Sequence, residues 1–146
     1  MKENSTFTQQ SIALALRSSK KNTLGREERL KSRNKIQTLF AKGKVMNFSP
    51  FKIIYQFQTD NLEFQLGVAV GTRQFKKAVD RNRIKRLIKE AYRLQKNQLK
   101  DLLIIKKTGL SLFIIYSGKT IPDYEFVYEK TGKILQKLES ELDAFA

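Results

Sequence analysis

Hydrophobic residues recur along this chain with two different periods, and the changes of period predict its secondary structure. Recurrence every three to four residues predicts a helix, whereas alternation of apolar and polar residues predicts a strand. The turn signal Asp60-Asn61 predicts that the first two strands form a hairpin. This order of elements predicts one small α+β domain around a mixed sheet. The predicted elements are a helix in 26–42, strands in 51–57 and 62–71, a helix in 78–96, a strand in 110–116 and a helix after Pro122.

The predicted hairpin has one strongly apolar face and one mixed face. Alternation in its first strand separates an apolar set, Phe51, Ile53, Tyr55 and Phe57, from a mixed set, Lys52, Ile54 and Gln56. The first helix could close one side of the mixed face and so form a groove of the kind that holds single-stranded nucleic acid. Phe40, near the end of that helix, is then either a core residue or part of the groove wall.

The helix in 78–96 separates its apolar residues from its positive charge. At 3.6 residues per turn, one arc holds the predicted core residues Ile84, Leu87, Ile88, Ala91 and Leu94. The predicted exposed face holds Arg81, Asn82, Lys85, Arg86, Lys89, Arg93 and Lys96. Arg83 falls near the other border of the stripe, beside Glu90, so that a structural role is predicted for it.

The net charge of the whole chain changes the interpretation of the helix in 78–96. The sequence has 29 basic and 14 acidic residues, which gives a net charge of +15, and 73–100 alone contains 11 basic and two acidic residues. A solvated surface helix usually mixes the two signs. The pattern therefore favours a polyanionic partner, nucleic acid before an anionic membrane surface, because such a partner neutralises the helix and releases counterions.

Cysteine and histidine are both absent, which narrows the chemistry available to the chain. Disulfides, thiolate metal sites, a serine triad and the usual zinc sites are excluded. A self-sufficient two-metal nuclease would require clustered carboxylates, and the acidic residues are scattered. A general RNA-binding or ribosome-associated protein remains an alternative that needs only the basic helix. No DNA-binding motif is present to favour DNA.

Residues 1–25 differ in composition from the rest, being rich in Ser, Thr, Asn and Gln. A disordered extension and a transit peptide both fit this composition. We therefore expect a domain in 26–146 preceded by a disordered extension in 1–25. No apolar run reaches the roughly 18 residues of a membrane span, and the absence of cysteine suits the cytoplasm. The sequence leaves open whether the free protein is a monomer or a dimer.

One block resembles the signature of the bacterial ribonuclease P protein subunit. The residues that carry this resemblance are Gly67-Val68-Ala69-Val70 and the RNR segment that begins Ala78-Val79-Asp80-Arg81-Asn82-Arg83. The resemblance implies an α-β-β-β-α-β-α fold with about four strands, three helices and a left-handed β-α-β crossover. It also implies that the partners are a catalytic RNA and precursor tRNA, and that the pair removes the 5′ leader. The RNA would carry the active site and hold most of the Mg²⁺.

The resemblance also assigns roles to particular positions. The residues that match the RNR motif, and are therefore implied to bind the catalytic RNA, are Arg81, Asn82, Arg83, Lys85, Arg86 and Lys89. From their charge, Arg73, Lys76, Lys77 and Arg93 are predicted to bind RNA as well. The residues implied to line the leader cleft are Ile36, Phe40, Lys52 and Ile54. No catalytic residue and no metal ligand is implied in the protein. Where many members have Ser-Lys-Lys and Gly-Asn, this chain has Gly71-Thr72-Arg73 and Lys76-Lys77, so a hydroxyl and an amide are missing from the cleft rim.

Overall fold

In a computed structural model, the described residues, 28–30, 32–60 and 62–145, form four helices and one four-stranded sheet. The predicted extension in 1–25 lies outside these ranges. The helices are α1 (Arg33–Lys42), α2 (Ala78–Gln95), α3 (Asn97–Ile105) and α4 (Tyr124–Phe145). The strands are β1 (Lys44–Phe48), β2 (Phe51–Gln58), β3 (Phe64–Val70) and β4 (Gly109–Tyr116). No helix among the described residues is long and apolar enough to cross a membrane.

The strands lie in the order β1-β2-β4-β3, with β3 and β4 parallel and the other two pairs antiparallel. The mixed sheet of a small α+β domain is therefore confirmed. The predicted hairpin is wrong, because β4 lies between β2 and β3. Instead, β2 forms a hairpin with β1 across Ser49-Pro50, a cis peptide bond.

The sheet has a different covering on each face. One face carries the main core, where α2 and α4 pack on buried strand residues such as Ile53, Leu112 and Ile114. The other face carries a smaller cluster beneath α1, made of Leu30, Leu39, Ile54 and Phe113. The apolar set of β2 is buried in the main core as predicted. Burial of both faces explains why β4 is apolar except at Ser111, which is only half-buried.

Two helix boundaries differ from the predictions. The first helix begins at Arg33, with the Ser32 side chain as its N-cap, and Arg29 instead pairs with Leu66 as an isolated parallel bridge. The predicted helix in 78–96 ends one residue earlier, at Gln95, and the sequence pattern did not predict α3, which follows it after Lys96. The described chain thus has four helices where the resemblance implies three.

Candidate nucleic-acid interface

Helix α2 is held on the sheet by residues that expose nothing to solvent. Ile84, Ile88 and Ala91 are fully buried, as predicted, and Leu87 is half-buried. Tyr92 is also fully buried, with its ring packed edge-on against Phe64 at 5.9 Å. Because the centre of the buried arc lies toward Tyr92, Leu94 at the far border is 40% exposed, and its predicted place in the core is wrong.

The polar side of α2 forms a shallow depression of about 450 Å³ with one residue from the segment before α1. We call this surface the basic face; it is lined by Arg29, Asn82, Lys85, Arg86, Lys89, Glu90 and Arg93. Asn82, Arg86 and Lys89 are exposed. Such guanidinium and ammonium groups on one open surface suit contacts with successive phosphates.

At both ends of α2, some basic residues do not have the roles that the sequence predicted for them. The Arg81 guanidinium donates hydrogen bonds to the carbonyl oxygens of Phe75 (2.7 Å) and Lys76 (2.8 Å), so Arg81 stabilises the loop that enters the helix. Arg83, for which a structural role was predicted, is exposed. At the other end, Lys96 is only 1% exposed, and its predicted place on the charged face is wrong.

Burial and ion pairs adjust the charge around the basic face. Glu90 accepts hydrogen bonds from Arg93, and these bonds lower the pKa of its carboxyl group and raise the pKa of the guanidinium. The Lys96 ammonium pairs with Glu28 at 2.5 Å. Burial of Lys96 lowers the pKa of this ammonium group. Arg93 therefore brings a partly neutralised charge to the face.

The loop between β3 and α2 adds further charge next to the basic face. Arg73, Lys76 and Lys77 are exposed, whereas Phe75 between them is buried in the main core. Phe75 anchors the loop, and the backbone contacts of Arg81 hold its second half. The loop thus presents three cations from a fixed base.

The four predicted cleft residues lie together on the α1 side of the sheet. Ile54 is 5% exposed and stands in register with Phe113 of β4, whose ring contacts Phe40 edge-on at 5.2 Å. Phe40 is itself 49% exposed, so it belongs to the surface and not to the core. Ile36 is half-buried in the same cluster, and Lys52 is exposed on β2.

The surface that carries these four residues meets the loop between β3 and α2, which we call the basic loop, at one end of the sheet. Lys52 is in register with Ile115, and Ile115 is in register with Ala69 of β3. Since β3 ends at Val70, this row lies where the chain leaves the sheet for the basic loop. The exposed cations Arg73, Lys76 and Lys77 of the basic loop therefore follow directly after this end of the surface.

Arg29 is the residue of the basic face that sequence reasoning missed. It lies outside α2, and the pairing of Arg29 with Leu66 brings it there. The sequence pattern placed Arg29 within the predicted first helix, 26–42, and gave no signal that it would lie beside α2.

The described residues contain no group of three or more acidic residues that could hold a metal ion.

Comparison with known proteins gives one family. The family model described as Ribonuclease P matches 24–139. The ribonuclease P protein component of Porphyromonas gingivalis is 30% identical over 125 residues, which cover 84% of this chain and 91% of that protein. That of Chlorobium phaeobacteroides is 30% identical and covers 80% of this chain and 88% of that protein.

Two solved structures share the fold. The ribonuclease P protein of Staphylococcus aureus superimposes with a TM-score of 0.60 at 19% identity, covering 76% of this chain and 94% of that chain. The protein of Thermotoga maritima gives 0.59 at 24% identity, covering 75% of this chain and 96% of that chain.

Proposed function

Because this chain belongs to the ribonuclease P protein family, we propose that it is the protein subunit of ribonuclease P and assists removal of the 5′ leader from precursor tRNA. Its family supports a role in an endoribonuclease holoenzyme. We propose that the partner RNA carries the active site and holds the Mg²⁺, and that the complex works in the cytoplasm. When bound, Mg²⁺ supplies charge stabilisation for phosphoryl transfer.

The observation that carries this proposal is the pairing of two different surfaces on one small sheet. The basic face of α2 would offer exposed cations to a folded RNA, and the α1 side of the sheet would offer the half-exposed ring of Phe40 and the exposed Lys52 to a single strand. A protein that only bound RNA by charge would need the first surface alone. Two surfaces suit a protein that holds a catalytic RNA and a substrate leader at once.

The protein's own contribution is binding and orientation. Phosphates of the catalytic RNA would lie on Lys85, Arg86 and Lys89, and leader nucleotides would lie against Phe40. Holding substrate and ribozyme together converts part of the binding energy into correct placement of the scissile bond.

Reconstitution tests the proposal. Purified protein, a bacterial ribonuclease P RNA and a precursor tRNA are combined at low Mg²⁺, and the 5′ end of the product is mapped. We expect neither the protein alone nor the protein with an unrelated RNA to cut, and the matched pair to release the leader. Cleavage by the protein alone would overturn the assignment, and failure to stimulate the RNA would favour the general RNA-binding alternative.

A further inference from the structure

A short segment before α1 lies beside β3 and next to the basic face. We call Glu28, Arg29 and Leu30 the edge segment. Arg29 forms a parallel bridge with Leu66, and the Leu30 backbone N–H donates a hydrogen bond to the Leu66 carbonyl oxygen at 2.8 Å. The edge segment thus has its backbone fixed to the sheet.

The first residue of the edge segment is also fixed to the end of α2. The Glu28 carboxylate accepts hydrogen bonds from the Lys96 ammonium at 2.5 Å and from the Lys100 ammonium at 3.1 Å. Lys96 is 1% exposed and cannot turn to solvent without leaving the core. Glu28 also lies close enough to Tyr92 for its charge to add to the effect of burial in raising the pKa of that phenol.

The last residue of the edge segment is fixed on the other side of the sheet. Leu30 is 5% exposed in the cluster with Phe113, and its carbonyl oxygen lies over Gly67. A Cβ atom at Gly67 would lie at an ordinary contact distance of 3.5 Å from that oxygen but only 2.5 Å from the Phe113 ring, so the glycine makes room for the ring in whose cluster Leu30 is buried.

Arg29 therefore stands between two anchored neighbours, while its own side chain is exposed and lines the basic face with Lys85, Arg86 and Lys89. We propose that Arg29 contacts a phosphate of the catalytic RNA directly, and that Glu28, through its ion pair with Lys96, is the positioning residue that holds Arg29 on the basic face. This proposal rests on the proposed function. A guanidinium fixed at its backbone suits a two-pronged phosphate contact, because less freedom is lost on binding.

The direct contact is tested by the salt dependence of affinity for ribonuclease P RNA. Arg29→Ala should weaken binding and reduce the slope of log affinity against log salt by about 0.7 to 0.9, the share of one phosphate contact. Arg29→Lys should restore most of the slope. Arg33→Ala is the matched control, since Arg33 is exposed at the first position of α1 and does not line the basic face. Equal slopes for Arg29→Ala and the wild type would overturn the contact.

The positioning role is tested with Glu28→Gln, alone and combined with Arg29→Ala. If Glu28 acts through Arg29, Glu28→Gln should reduce the slope of log affinity against log salt by the same amount as Arg29→Ala does. The double variant should then reduce that slope no further than Arg29→Ala alone. Slopes are measured well below each variant's melting temperature, so that lost stability does not enter. A Glu28→Gln slope equal to that of the wild type, or two fully additive losses, would contradict positioning.

These outcomes differ from failure of the proposed function. If wild-type protein stimulates leader removal while all the slopes agree, only the inference about Arg29 fails. If wild-type protein neither binds that RNA above an unrelated RNA nor stimulates cleavage, both the proposed function and the inference fail.

Discussion

Replacing Lys85, Arg86 and Lys89 together with alanine should remove the centre of the proposed RNA surface without disturbing the core. These side chains line one depression on α2, whereas the buried residues of the helix lie on its opposite side. Arg81 is left in place because its guanidinium holds the entry loop, and Arg93 because it is paired with Glu90. The triple variant therefore changes binding charge more cleanly than a variant that includes either of them.

The magnitude follows from counterion release. Each phosphate contact contributes about 0.7 to 0.9 to the slope of log affinity against log salt, so the variant should flatten that slope by about two to three. Over a fourfold rise in salt, the wild-type protein should lose about 20- to 40-fold more affinity than the variant does. Fluorescence anisotropy with labelled ribonuclease P RNA at constant Mg²⁺ measures both slopes.

A matched control separates local contact from total charge. Lys130, Lys133 and Lys137 lie on α4, and their replacement with alanine lowers the net charge by the same three units on a different helix, while also breaking the ion pairs of Lys133 with Glu129 and of Lys137 with Glu141. We expect this control to keep a slope within about one of the wild type. If both triple variants flatten the slope equally, the protein attracts RNA through its net charge, and the assignment of the basic face is refuted.

The remaining predictions concern the cleft, the core and one buried acid. Phe40→Ala should raise KM for precursor tRNA with a long leader and leave binding of the catalytic RNA unchanged; an equal effect on a substrate with a one-nucleotide leader would contradict a leader contact. Ile88→Ala should lower the free energy of unfolding by about 2–5 kcal/mol in denaturant titrations, whereas Leu94→Ala, at an exposed position, should cost less than about 1 kcal/mol. Asp101 is 4% exposed, one of its carboxylate oxygens lacks a hydrogen-bond partner among the described residues, and burial raises its pKa above 3.8. A raised carboxyl pKa contributes stability below pH 3.8 that is lost as pH rises through the folded-state pKa, so Asp101→Asn should melt higher than wild type at pH 7; a difference that does not shrink toward pH 3.8 would contradict this reasoning.

The local sequence pattern correctly predicted those helices and strands that keep one face against the core along their whole length. The alternation in β2 and the helical stripe around Ile84 and Ile88 were sufficient, because one face of each element meets the core. Strand β1 was not predicted from the residue pattern, since Lys44–Phe48 does not alternate regularly between apolar and polar residues. The hairpin prediction failed because β4, from much later in the chain, pairs with β2 and β3 and separates them.

The candidate site shows the same limit. Helical periodicity places Lys96 with the charged residues, and the contact that buries it comes from Glu28, 68 residues earlier in the chain. The bridge that brings Arg29 to the basic face is likewise a long-range contact, with Leu66. A local sequence pattern cannot predict either contact, because both contacts exist only when the segment before α1 lies along the edge of β3.

The few acidic residues of this chain are placed so that the fold and the basic face are both maintained. Several of the ion pairs among the described residues tie down lysines away from the basic face, including Glu28 with Lys96, Glu63 with Lys35 and Asp143 with Lys106. At the basic face itself, Glu90 pairs with Arg93. Like charges remain crowded on α2, which costs stability in the free protein and is relieved when a polyanion binds. We therefore expect the proposed RNA binding to depend on the full burial of Ile84, Ile88, Ala91 and Tyr92, because these residues hold the basic face in shape before a polyanion binds.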